Sequence, residues 1–254
     1  MYFEVYGDIV ASIFEYFILW LFNKSGGEIQ MKRYRYFFFI VIALMFIALL
    51  SFLSKTVETV NQIPLMNKIV IIDAGHGGSD PGKPGKYGEN EDKLNLKIAL
   101  KLKDLIEESG GIALMTREDD TLSDKDIMKD LKNRVHAGND VKGDIMLSIH
   151  LNSFPDPRYK GAQVFYQKDS KEGKLLAEII QDELRKTLDP NNDRMAKETS
   201  TFYILRHAKM PAVIIECGFM SNPEEERLLN DENYQYKIAW AIYKGVNRYF
   251  KEKS

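Results

Sequence analysis

Cysteine is almost missing from this chain: Cys217 is the only one among 254 residues. That excludes an internal disulfide and every zinc site built from several thiolates, so stability has to come from packing. Net charge is nearly missing as well, at -2, which removes the usual electrostatic case for a nucleic-acid partner. Histidine is scarce, four in all, so each one can be weighed separately. Gly75, Gly77 and Gly78 cluster, but no Gly-Lys-Ser/Thr follows, which argues against a phosphate-cradling loop. No internal repeat and no low-complexity segment interrupts the chain.

One long hydrophobic run is present. From Tyr36 to Leu53 every residue is apolar except Ser51, and Lys32, Arg33 and Arg35 lie directly before it. About 20 apolar residues cross a bilayer, so the run suffices, and its basic flank belongs on the cytoplasmic side. Ser51-Phe-Leu-Ser-Lys-Thr offers no small-x-small cleavage site, which favours an uncleaved signal anchor over a cleaved signal peptide. Everything after Ser54 is then extracytoplasmic. Ile9 to Phe22 is a shorter apolar stretch broken by Glu15, and Met31-Lys-Arg reads as the natural start of a signal sequence. The expected organisation is an untranslated extension over 1–30, an anchor over 31–54, a linker over 55–67 and a catalytic domain over 68–254.

Past the linker, strand-like and helix-like runs alternate. Ile69–Asp73 is continuously apolar up to its last residue, as a strand covered on both faces should be. Leu94, Ile98, Leu102 and Leu105 recur at helical spacing until Ser109-Gly-Gly. Ile112–Thr116 is a strand, and Ile127, Leu131 and Val135 mark a helix. Ile145–His150 and Gln163–Gln167 are strands, Lys171–Leu188 a long helix, and Phe202–Leu205 and Ala212–Glu216 extended segments. Tyr236–Phe250 closes the chain as a helix. The alternation predicts a single α/β domain with a largely parallel sheet, and sites in such sheets form at the carboxyl ends of strands.

His76, His150 and Glu216 each close a predicted strand. Glu91 begins a helix and shares the inward stripe of Leu94, Asn95 and Ile98, which Glu89 does not. Two imidazoles and a carboxylate form the ligand set of a catalytic zinc with an open position, and a further carboxylate can serve as general base. A carboxylate ending an apolar strand, as Glu216 does, needs a partner for its charge. Cys217 raises the alternative of a thiol nucleophile with His150 as base, although a buried strand cysteine is usually inert. His136 and His207 read as surface residues.

Taken together, Ile72-Asp-Ala-Gly-His-Gly-Gly, Glu91-Asp-Lys-Leu-Asn-Leu, Asn133-Arg-Val with Ala137, Ser148-Ile-His-Leu-Asn, Gly161-Ala-Gln-Val and Pro211-Ala-Val-Ile-Ile-Glu-Cys-Gly-Phe-Met-Ser-Asn resemble the zinc-dependent N-acetylmuramoyl-L-alanine amidases of the type-3 amidase family. The resemblance runs from about Lys68 to Phe250 and is strongest toward the germination-specific amidases of spore formers. It implies a mixed six-stranded sheet flanked by helices, Zn2+ held by His76, Glu91 and His150, and Glu216 as the catalytic carboxylate. The implied reaction is cleavage of the amide between muramic acid and L-alanine in peptidoglycan, in spore cortex maturation. Between His150 and Glu216 the sequence offers only a strand, one long helix and a loop, which leaves no room for the occluding helix of some divisional amidases. With no wall-targeting module in the sequence, a protein activator or targeting partner is expected. A zinc carboxypeptidase of the peptide stem, a sugar deacetylase and a catalytically dead wall-binding scaffold are the rival expectations.

Overall fold

The computed structural model describes residues 37–52 and 63–253. The chain divides into two units, Met1–Thr59 and Val60–Ser254. In the first, residues 37–52 form a helix, α1, whose phenylalanine, isoleucine and leucine side chains are exposed. No helix among the described residues is long and apolar enough to cross a membrane. The remainder of the expected 31–54 anchor, most of the 55–67 linker and the 1–30 extension lie outside the described residues.

The second unit is built on one six-stranded sheet. Its elements in chain order are β1 (Ile69–Ala74), α2 (Glu91–Glu108), β2 (Ile112–Met115), α3 (Ile127–Asp140), β3 (Ile145–Asn152), β4 (Gln163–Gln167), α4 (Lys171–Leu188), β5 (Lys197–Thr199), α5 (Tyr203–His207), β6 (Ala212–Phe219), α6 (Pro223–Leu229) and α7 (Glu232–Lys253). The strand order is β2-β1-β3-β6-β4-β5. All neighbours run parallel except β4 and β6, which are antiparallel, so the sheet is mixed and largely parallel.

Apolar periodicity sorts the helices onto the two faces. One core joins Ile72, Leu147 and Ile215 of the sheet to Leu94 and Ile98 of α2, Leu176 and Ile180 of α4, and Ile242 of α7. The other joins Ile71, Met146 and Ile214 to Val135 of α3 and Ile204 of α5. Successive strand residues point to opposite faces, which is why Ile71 and Ile72 feed different cores. Full burial of each such side chain contributes about 1.5–3 kcal/mol. At Gly245 on α7 a Cβ would lie 2.8 Å from Ile180 Cγ1 and 3.0 Å from its Cα, so this glycine sets the close approach of α7 to α4.

Phe202–Leu205, expected to be extended, is instead mostly helix, with α5 running from Tyr203 to His207. The reason is packing: Ile204 and Leu205 are adjacent and both buried, with Ala208 joining the same cluster at helical spacing, whereas a strand would turn one of the pair outward. Two further elements lay beyond the sequence reading. β5 has only three residues, and α6 starts at an Asn222 cap whose Oδ1 accepts from the backbone N–H groups of Glu224 and Glu225, with Pro223 in its first turn.

Candidate metal centre

β1, β3 and β6 are parallel neighbours or share one, so their carboxyl ends meet at one end of the sheet. His150 stands opposite Glu216 in the β3–β6 register. His76 follows β1 by two residues, and Glu91 opens α2 beside it. Each of His76, Glu91 and His150 offers a ligand atom, and these atoms all lie within 4.8 Å of one another. The Glu91 carboxylate is the hub. Its Oε1 is 3.3 Å from His76 Nε2 and 3.2 Å from His150 Nδ1. Glu91 Oε1 also accepts from the Leu151 N–H at 3.1 Å, and its Oε2 accepts from the Lys83 N–H at 2.9 Å. Glu89 instead pairs with Lys97.

The loop carrying His76 is held from several sides. His76 has φ 63°, a left-handed conformation rare outside glycine. Arg134 Nη2 donates to the His76 carbonyl at 2.7 Å, and Gly77 and Asp80 exchange two backbone hydrogen bonds of 2.9 Å. Arg117 donates to the carbonyls of Ala74 at 2.8 Å, Gly75 at 3.0 Å and Asp92 at 2.7 Å. Gly75 is a matter of space: a Cβ there would sit 2.3 Å from the His150 ring. Under the loop, Asp73 is fully buried and accepts from Arg134 at 3.0 Å, Thr116 at 2.7 Å and Ser148 at 2.5 Å. Burial alone would raise the Asp73 carboxyl, but Arg134 and the two hydroxyls outweigh it and hold it below its ordinary value.

Electrostatics distinguish the two glutamates. Burial would raise Glu91, yet its hydrogen bonds to His150 and His76 and their charges hold it well below the ordinary carboxylate range. His76 is the complement: burial would lower it, but Glu91 and Asp80 raise it to about 9. Asp80 Oδ2 lies 2.8 Å from His76 Nδ1, leaving Nε2 as the nitrogen turned toward Glu91. Burial pushes Glu216 up to about 7. Its Oε2 is buried and has no hydrogen-bond partner. Three convergent donors beside an orphaned carboxylate oxygen fit a divalent cation and its water, and the oxygen- and nitrogen-donor set suits zinc chemistry.

These groups open into a cavity of about 650 Å³. Ile127 and Leu131 of α3, with Phe202, Tyr203 and Ile204 around α5, give it one apolar wall. The short α5 thus lines the cavity; it is the one helix between β4 and β6 besides α4. Cys217 faces the other way, into the α2–α4–α7 core, where burial pushes its thiol well up. It cannot serve as a nucleophile with His150. His136 and His207 are exposed, as expected, and His207 stacks on Tyr203 at 4.1 Å. Arg117, Arg134 and Asp80 escaped the sequence reading as site residues. Only the Arg134 segment, Asn133-Arg-Val, carried a signal.

Residues 70–248 match the N-acetylmuramoyl-L-alanine amidase family. Over 200 residues the chain is 40% identical to the germination-specific N-acetylmuramoyl-L-alanine amidase of Bacillus subtilis (strain 168), covering 76% of this chain and 84% of that one. Among solved structures it is similar to the CwlD amidase of Clostridioides difficile in complex with the GerS lipoprotein, with 45% identity, a TM-score of 0.69 and coverage of 72% of this chain and 98% of that one. It is also similar to the amidase AmiC2 of Nostoc punctiforme, at 31% identity and a TM-score of 0.65, covering 72% of this chain and 96% of that one. The family match takes in β3, β6, all of β1 but Ile69, and the four candidate residues His76, Glu91, His150 and Glu216, and by that measure the chain belongs to the N-acetylmuramoyl-L-alanine amidase family.

Proposed function

We propose that this chain is a zinc-dependent hydrolase that cleaves the amide between the lactyl group of muramic acid and L-alanine in peptidoglycan, in preparing the spore cortex for germination. The observation that carries the reading is the convergence of His76, Glu91 and His150 beside the unpartnered Glu216 Oε2. The likeness to a germination-specific relative supports the biological setting. His76, Glu91 and His150 would hold the zinc, which when bound supplies Lewis acidity and brings a coordinated water to a pKa of about 7.

The protein's own contributions follow from its geometry. Glu216, held near neutrality by burial, can accept the proton of the attacking water and return it to the departing alanine nitrogen. Asp80 fixes the ring of His76 through Nδ1, and Arg134 and Arg117 fix the backbone that carries it. Phe202 and Ile204 give the cavity an apolar lining beside these groups.

The rest of the proposed organisation comes from the sequence. Residues 31–54 form the signal anchor, 55–67 the linker and 68–254 the catalytic domain, which acts outside the cytoplasmic membrane. A lipoprotein-type partner, of the kind in complex with the Clostridioides difficile relative, is proposed as well. The test is digestion of purified peptidoglycan by the zinc-loaded chain, with products read by mass spectrometry. Free lactyl ends and intact stem peptides beginning with L-alanine are expected. Release of a stem D-alanine or of acetate would assign a different bond.

A further inference from the structure

The loop between β3 and β4 presents two aromatic rings to solvent immediately beside the catalytic cavity. Ser153 lines the cavity, and the next residue, Phe154, is 45% exposed. Its ring lies 4.3 Å from that of Tyr159, which is 44% exposed. Behind them the Arg194 guanidinium covers Phe219 at 4.6 Å and reaches 5.9 Å from Tyr159. Arg194 Nη1 also donates to Gln163 Oε1 at 3.2 Å. Gln163 stands opposite Glu216 in the β4–β6 register, and residues directly opposite each other share a face of the sheet. The ledge therefore continues the catalytic face rather than turning away from it.

Exposed rings on a loose loop would mean little, but this loop is fastened at four points. Phe154 N–H donates to Ser221 Oγ at 3.0 Å, Asn222 Nδ2 to the Pro157 carbonyl at 2.9 Å, Arg194 Nε to the Lys160 carbonyl at 2.8 Å, and Gly161 N–H to Glu225 Oε1 at 2.9 Å. A surface ordered in advance loses little conformational entropy on binding. The proposed reaction also dictates what comes next to the scissile bond, because the lactyl group joins it directly to a hexosamine ring.

We propose that Phe154 and Tyr159, backed by Arg194, form a saccharide subsite that stacks a hexosamine ring of the glycan strand while its stem peptide enters the cavity. A pyranose offers a flat C–H face, which aromatic rings bind by dispersion, and polar edges that a nearby guanidinium and phenol can satisfy. This deepens the amidase reading and rests on it. A two-ring ledge is also small beside the several-hundred-Å² patches by which proteins dock.

The test uses the full chain and glycan strands stripped of stem peptides, with affinity measured for the unsubstituted protein, F154A/Y159A and F154W/Y159W. The alanine pair is expected to bind about tenfold more weakly and the tryptophan pair to retain binding. On intact peptidoglycan the alanine pair should show KM raised about tenfold with kcat changed by under about twofold. Unchanged thermal unfolding would show that the loss is not one of folding. Equal glycan affinity in the alanine pair would overturn the subsite, as would an unchanged KM accompanied by loss of a protein partner. Because glycan binding is read without turnover, an unsubstituted chain that releases no lactyl ends would count against the reaction alone.

Discussion

Arg134 Nη2 donates to the carbonyl of His76 at 2.7 Å and so pins a left-handed histidine at the end of β1. The same guanidinium reaches Asp73, Asp130 and the Ala74 carbonyl. Arg134→Lys keeps a charge near Asp73 but cannot span these acceptors together. Zinc affinity is expected to fall about tenfold to a hundredfold, as for other groups that orient a ligand. Arg134→Ala should in addition lose about 3–5 kcal/mol of stability, because Asp73 is left buried without its cation. Competition titration with a zinc chelator and denaturant unfolding check the two effects separately.

Asp80 is the simpler case. Asp80→Ala removes the 2.8 Å contact to His76 Nδ1 on a partly exposed loop. Zinc affinity should drop about tenfold or more while the unfolding midpoint barely moves. An unchanged affinity would show that His76 needs no orienting carboxylate.

Zinc uptake should release protons. With His76 raised to about 9 in the metal-free site, its imidazole is protonated at pH 7, and a ligating imidazole has to be neutral. Calorimetry in two buffers of different ionisation enthalpy should detect the released proton at pH 7, with the His76 share fading above about pH 10. Affinity should accordingly rise with pH across that interval. A pH-independent affinity from 7 to 9 would contradict the assignment of His76.

The meeting of His76, Glu91 and His150 was legible in the sequence, and the reason is topological. In a sheet with parallel β1, β3 and β6 the carboxyl ends of apolar runs gather together, which marks His76, His150 and Glu216 as candidates. However, β3 runs on to Asn152 and β6 to Phe219, so His150 and Glu216 lie within their strands rather than closing them. Glu91 followed from its place on the buried stripe of α2. The supporting residues were not legible. Arg117 and Arg134 act through carbonyls of a loop some 40 to 60 positions away, contacts that leave no trace in local periodicity. The helical state of α5 likewise depended on burial of both Ile204 and Leu205, which tertiary packing decides.

Glu216 should burden the metal-free protein. Its folded pKa of about 7 lies above its ordinary 4.5, so between those values the folded state holds more protons than the unfolded one. Stability therefore falls as pH rises from about 4.5 to 7, by at most about 3 kcal/mol. Glu216→Gln cannot ionise and should be more stable than the unsubstituted metal-free chain at pH 8, with the difference vanishing near pH 4. Denaturant unfolding at the two pH values, with chelator present, reads this directly.

The most direct measurement is turnover by the zinc-loaded Glu216→Gln chain on peptidoglycan, with metal content determined on the same sample. Zinc retained at the unsubstituted level and release of lactyl ends reduced about a hundredfold or more is the expected result. Full turnover in that variant would contradict the assignment of Glu216 as the group that moves the proton.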